Sequence, residues 1–366
     1  MMAAQMKQDS KRAKPRLMEY DVIRVVAMLF VLLLHGMTGV DHGDKYAYFY
    51  FVFVQSLCFT CNALFFMLSG RFALKAFERE PEQSFRKYDV HKANTFLLPV
   101  LVFFLLRTLY DTRAESLTAL ELLTRYVKNV TGGYYAGDGW FLYTLTASLA
   151  AVPFVARSFC RFSKRQHMLF VAVGMLWNGI SDICAAAGGV FSWKYLFGGW
   201  PFYFFLGYSI EKLITEKKQI RLLWVSGAIC FVATIVLSYK GTKLALHDAS
   251  PIFTVLAASV YYACRELGKA IDRRHIKWMQ NTIAFLAKHS FSVYMSHGVL
   301  MQIVVGWREY WPMHVFSVFT SWDTVLKTLC LTLAAALVMD HALLPLIRRG
   351  GRACAGAIRT LKGEAE

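Results

Sequence analysis

Two residues of the first apolar segment have the types and spacing for chemistry. Arg24 and His35 lie eleven residues apart in an otherwise apolar stretch. On a helix, eleven steps of about 100° return to within about 20° of the starting direction, so both side chains share one face. The same spacing separates them by roughly 16 Å along the axis, about half the roughly 30 Å thickness of a bilayer core. Asp21, one turn before Arg24, is spaced for an ion pair that would hold the guanidinium in a fixed pose. A fixed cation near the membrane surface suits a polyanionic ligand arriving from the cytoplasm, and an imidazole deeper in suits proton transfer. The competing reading is a snorkelling arginine and a histidine that only hydrogen-bonds a neighbouring helix.

The elements that must position these residues are membrane helices. Of 366 residues 56% are hydrophobic and only 18% are charged, with 29 Phe and 9 Trp. That is more apolar surface than one soluble core can bury, so lipid is the solvent for much of it. Apolar runs of roughly spanning length recur near residues 17–40, 48–74, 95–110, 140–155, 168–187, 198–214, 222–238, 252–267, 282–305 and 324–346. The sequence therefore predicts an all-α, polytopic membrane helix bundle of about ten spanning helices. Residues 1–16 form a basic cytoplasmic segment, 17–346 the transmembrane domain and 347–366 a basic cytoplasmic tail. No linker, internal repeat or low-complexity tract divides the chain further.

A formal charge of +17 raises the question of a nucleic-acid partner, and the positions of the charges exclude it. Lys and Arg crowd the segment before the first span, the second, fourth, sixth and eighth connections, and the tail, while the intervening connections carry few. Positive loops are retained in the cytoplasm, so this alternation predicts both termini inside. Arg24, Arg107 and Lys327 fall within proposed spans, where a charge is costly unless it faces protein or water, or snorkels to the interface. The basic start followed by an apolar stretch also resembles a signal peptide. The stretch is long and lacks a small-x-small cleavage site, which favours an uncleaved first span. The eight cysteines are scattered, and Cys58 and Cys61, spaced CxxC, have no second ligand pair. They read as packing residues, and no metal site is expected.

The longest outward connection, 111–139, carries Leu117, Leu120, Leu123, Val127 and Val130 at helical spacing, the pattern of an interfacial helix. The Gly- and Tyr-rich run that follows ends in Trp140. Its aromatic planes suit either a membrane-interface belt or stacking on sugar rings.

The run from Tyr20 to Arg24, ten further residues and His35 resembles the Arg-x10-His signature of the acyltransferase-3 family of integral membrane O-acyltransferases. Further segments are similar in the same order, from the first span to the ninth: Phe65-Phe66-Met67-Leu68-Ser69-Gly70, Trp140-Phe141-Leu142-Tyr143, Pro201 to Tyr208, and Ser290-Phe291-Ser292-Val293-Tyr294-Met295-Ser296-His297. The resemblance implies about ten helices and transfer of an acyl group, usually acetyl from acetyl-CoA, to hydroxyls of cell-surface glycans or similar acceptors. Acetyl-CoA is then a co-substrate, with no permanently bound cofactor. The implied location is the bacterial inner membrane. Arg71 stands where many members carry an aromatic residue, and the usual Arg-x-x-Arg of the next cytoplasmic loop is absent, with Arg86-Lys87 and His91-Lys92 as electrostatic substitutes.

On this resemblance, His35 is the expected general base, with an acyl-histidine as the variant in which the imidazole itself carries the group. Arg24, Arg71, Arg86, Lys87 and Lys92 are the expected phosphate contacts, although any cytoplasmic loop is basic for topological reasons. Asp21, Ser69, Trp140, Tyr294 and His297 are the expected supporting or acceptor-side residues. Expected partners are acyl-CoA, a glycan or lipid-linked saccharide acceptor and the lipid bilayer; the chain is expected either to work alone or to use a separate extracytoplasmic partner, with a homo-oligomer as a further option. The alternatives are a glycan or lipid transporter, against which the lack of an inverted repeat speaks, and a purely structural membrane subunit.

Overall fold

The computed structural model describes residues 16–80, 84–132, 136–191, 198–242, 250–307 and 317–350, and among these there is no strand. The tail beyond 350, the basic segment before Arg16 and the aromatic run at 133–135 lie outside the described residues. The helices are α1 (Met18–Gly36), α2 (Lys45–Cys58), α3 (Thr60–Arg79), α4 (Phe85–Lys92), α5 (Leu98–Asp111), α6 (Ala119–Thr131), α7 (Ala136–Phe159), α8 (Lys164–Ala186), α9 (Trp200–Leu213), α10 (Lys217–Tyr239), α11 (Pro251–Arg273), α12 (Lys277–Gly306) and α13 (Ser317–Val338).

Helix occupies each of the ten intervals expected to be apolar spans. Among the described residues, six stretches are long and apolar enough to cross a membrane: Lys45–Arg79, Phe85–Asp111, Gly139–Phe159, Lys164–Ala186, Lys217–Tyr239 and Ser317–Gly350. Of the other helices, α6 is amphipathic, and α1, α9, α11 and α12 are short or carry polar residues, many of which are buried. A helix surrounded by protein can carry polar groups that find partners there, whereas a lipid-facing helix cannot. Accordingly α8 and α10 expose Leu169, Leu176, Ile183, Leu222, Val225, Ile229 and Val232, while α1 packs against α2, α3, α11, α12 and α13 at the centre.

Two glycines set the closest helix contact. A Cβ on Gly70 of α3 would lie 1.7 Å from the carbonyl oxygen of Phe204 in α9, and one on Gly207 would lie 2.0 Å from that of Met67 in α3. Small residues let helix backbones meet at this range, and the gain is dispersion contact rather than the hydrophobic effect, which is absent between helices in lipid.

The helix ends that border basic connections are tied together on one face. Glu211, near the end of α9, accepts hydrogen bonds from the hydroxyls of Tyr20 (α1) and Tyr261 (α11), both at 3.0 Å. Its other oxygen accepts from Arg71 Nε (α3) at 3.1 Å. Lys212 reaches Glu78 at 2.6 Å, and Arg265 reaches Glu19 at 3.1 Å. The start of α1 and the ends of α3, α9 and α11 therefore share a side, as the charge alternation requires.

Two π-bulges interrupt the ladder, at Ala93–Leu97 between α4 and α5 and at Met339–Leu343 after α13. Each precedes a proline: Pro99 lies four residues after Thr95, and Pro345 four after His341. Proline has no N–H for the carbonyl four residues back, and its ring crowds that carbonyl. The helix widens there instead. In both bulges the same residue turns its side chain back one turn: Thr95 Oγ1 donates to His91 O at 2.7 Å, and His341 Nδ1 donates to Leu337 O at 3.1 Å.

The connection after α5 contains the expected amphipathic helix. In α6, Tyr126 and Val130 pack on the core, while Leu120, Leu123 and Val127 are exposed, Leu120 at 73%. A capping box starts it: Thr118 receives Glu121 N–H and Glu121 receives the Thr118 N–H. The Thr118 N–H and hydroxyl both donate to the Glu121 carboxylate and hold it below the usual carboxylate range.

Candidate active site

A cavity of about 330 Å³ opens beside α1, walled by α3, α7, α12 and the first π-bulge. Arg24, Ser69, Lys92 and Tyr294 line it, four residues singled out in the sequence and drawn together from four separate helices. Phe65, Leu68, Phe72, Phe96, Phe141, Leu145, Leu149 and Phe291 supply an apolar wall, with Thr95 and Ser290 as further hydroxyls. A mostly apolar concavity with a few convergent polar groups is the usual form of a small-molecule site.

Asp21 is 1% exposed and accepts from Arg24 Nη1 at 2.8 Å and from Arg16 Nε at 2.5 Å. The guanidinium of Arg24 also lies over the ring of Phe72, 5.1 Å from its centroid. With one face braced by Phe72 and one donor committed to Asp21, Arg24 remains 33% exposed at the side chain, so its other donors can meet an anion in the cavity. Lys92 reaches the cavity from the last turn of α4, with its ammonium 5.6 Å from the Tyr88 ring centroid.

Tyr294 connects the cavity to a pair of histidines. Its ring lies 5.4 Å from that of His297, and the ring of His297 lies 5.0 Å from that of His35 at a tilt of 48°. His297 is 6% exposed, and its Nδ1 is hydrogen-bonded to the carbonyl of Tyr294. A carbonyl only accepts, so Nδ1 carries a proton, and in the neutral ring Nε2 carries the lone pair. His35 is exposed, in contrast to the buried His297 it packs against.

The other expected residues have different surroundings. Arg71 is buried, bonded to Glu211 and stacked over Tyr20 at 4.1 Å, and it does not line the cavity. Arg86 and Lys87 are exposed on α4, Lys87 within 3.2 Å of Glu80. Trp140 packs against Trp200 and Phe141, centroids 5.0 and 6.2 Å away. Like Arg24, the other two intramembrane cations have local partners: Arg107 meets Asp111 at 3.0 Å and Lys327 meets Asp323 at 2.6 Å. Cys58 and Cys61 are buried free thiols.

Sequence reasoning missed Glu211 and Asp340 because it screened the spans for cations and histidines. Each is a carboxylate in an apolar neighbourhood, which is the same signal with the opposite sign. Asp340 accepts from His289 Nδ1 at 2.6 Å and from Ser292 Oγ at 2.5 Å.

An all-helical bundle with apolar outer helices and a largely apolar cavity that two cations line defines the class: a multi-pass membrane protein. The family profile described as an acyltransferase domain matches residues 19–341, nearly the whole chain. The chain belongs to this acyltransferase-3 family. No curated protein and no solved structure matches it.

Proposed function

We propose that this membrane acyltransferase moves an acetyl group from cytoplasmic acetyl-CoA to a hydroxyl of a cell-surface glycan or lipid-linked saccharide, with His35 as general base. The proposed setting is a bacterial inner membrane crossed ten times, with both termini in the cytoplasm. The observation that carries the reading is one cavity that joins Arg24 and Lys92 to Tyr294, whose ring packs on His297 beside His35.

Arg24 and Lys92 offer charge-assisted bonds to donor phosphates, and the aromatic wall suits the slender, weakly polar arm that carries the thioester. An alcohol is a poor nucleophile near neutral pH, so His35 takes its proton as the oxygen attacks the thioester carbonyl. The new C–O bond forms, the C–S bond breaks, and the imidazolium returns the proton to the departing thiolate. Ser69 is suited to donate to the developing oxyanion, and His297, with its lone pair at Nε2, to accept from the acceptor hydroxyl. Asp21 orients Arg24, while Arg71 braces the site through Glu211.

Acetyl-CoA binding to purified protein, combined with mass comparison of envelope glycans from cells with and without active protein, tests the reading. Binding together with loss of an acetyl increment in the inactive cells is expected. No binding and identical glycan masses would contradict it in favour of a transporter or structural subunit.

A further inference from the structure

Helix α12 presents two faces with different partners. Ser290 and Tyr294 line the cavity, and His297 meets His35; at about 100° per residue these three fall within a wedge of roughly 60°. His289 and Ser292 lie on another side of the helix, about 80° and 140° around it from His297, and both bond one carboxylate, Asp340, which belongs to the second π-bulge. His289 is 1% exposed. On the flank of α12, Phe291 packs against Phe96 of the first π-bulge, with centroids 5.4 Å apart.

We propose that Asp340 is a positioning residue for acyl transfer: the π-bulge turns its carboxylate onto α12, and its two oxygens fix the rotation of that helix, so that Tyr294 faces the cavity and His297 faces His35. This rests on the acyltransferase reading of the cavity. An ionised carboxylate is the group the arrangement needs, because it accepts at both oxygens. His289 and Ser292 are one helical turn apart, so two bonds to one rigid group oppose both rotation and sliding of α12. An asparagine keeps one acceptor oxygen and the shape; an alanine keeps neither.

The test uses full-length protein in lipid, carrying Asp340→Ala, Asp340→Asn, Ser292→Ala or Ser292→Ala with Asp340→Ala. Two quantities are measured: acetyl transfer, and amide hydrogen exchange over residues 288–297. The expected result is a fall in kcat of at least ten-fold for Asp340→Ala, with faster exchange of the segment. Asp340→Asn retains at least a third of kcat, and the double variant is no worse than Asp340→Ala, because both substitutions release the same clamp. Wild-type kcat in Asp340→Ala would overturn the proposal, as would equal loss in the Ala and Asn variants, or a double variant whose losses multiply. If the wild-type protein transfers no acetyl group, the acyltransferase reading fails by itself. The clamp is then decided by exchange, and unchanged protection in Asp340→Ala overturns it.

Discussion

The imidazoles of His35 and His297, from α1 and α12, lie 5.0 Å apart between ring centroids. The hydrogen bond of His297 to the Tyr294 carbonyl fixes which of its nitrogens is bare. One ring is buried and tautomerically fixed; the other is exposed. That division suits a positioning partner and a reacting group, and it makes the two histidines unequal under mutation.

His297→Ala is expected to lower kcat by about ten- to a hundred-fold, less than the loss of the base itself, which is typically about 10²- to 10⁴-fold. Its acetyl-CoA affinity should stay within a few-fold, because His297 does not line the cavity. Steady-state kinetics alongside equilibrium binding check both halves. A pure affinity loss would remove His297 from the transfer step.

Arg24→Ala should weaken acetyl-CoA binding by about ten- to a hundred-fold, the equivalent of one charge-assisted hydrogen bond of about 1.5–3 kcal/mol. Arg24→Lys restores charge but loses the planar fork and is expected to recover only part. Lys92→Ala should act in the same direction. Arg86→Ala with Lys87→Ala should act least, since both side chains point to solvent. Titration calorimetry ranks them, and a larger loss from the Arg86/Lys87 pair would move the phosphate site out of the cavity.

Gly70→Ala is expected to cost at least about 1–3 kcal/mol, because the new methyl would collide with the Phe204 backbone and not with a movable side chain. Gly306→Ala, where nothing lies within 4 Å of the added carbon, is the matched control and should stay within about 0.5 kcal/mol. Thermal unfolding in detergent compares them, and equal melting temperatures would show that α3 and α9 do not approach as closely as described.

Glu211→Ala leaves Arg71 buried without its carboxylate and strands the Tyr20 and Tyr261 hydroxyls. Breaking one side of a buried pair typically costs about 3–5 kcal/mol, so folded yield should fall sharply. Arg71→Met with Glu211→Leu removes both charges and should recover much of it. Failure of the double variant to exceed the single one would mean that Glu211 does more than neutralise Arg71.

Much of this architecture was legible in the sequence because lipid imposes simple rules. Apolar length marked each helical interval, the alternation of Lys and Arg matched the ends now seen to share a face, and the eleven-residue spacing of Arg24 and His35 set both on α1. Ser69, Lys92 and Tyr294 were also singled out in sequence, and they meet Arg24 at the cavity. Less legible were the pairings between helices: nothing local in the sequence says that Arg71 will find Glu211 or that His289 will find Asp340. The bulges left a trace in Pro99 and Pro345, each inside an apolar run, but the trace is not a rule, since Pro153 inside α7 comes with no widened turn. Exposure of His35 depends on how α1, α12 and α13 meet around Gly36, where an added Cβ would touch Val325, and no single-helix pattern encodes that.

The central claim is that His35 takes the acceptor proton. Purified protein reconstituted in lipid, supplied with radiolabelled acetyl-CoA and a glycan acceptor, is compared with its His35→Ala variant in one turnover, with acetyl-CoA affinity measured on the same samples. The expected result is transfer reduced by about 10²-fold or more with donor affinity within a few-fold of wild type. Near-normal transfer by a correctly folded His35→Ala protein would contradict the mechanism.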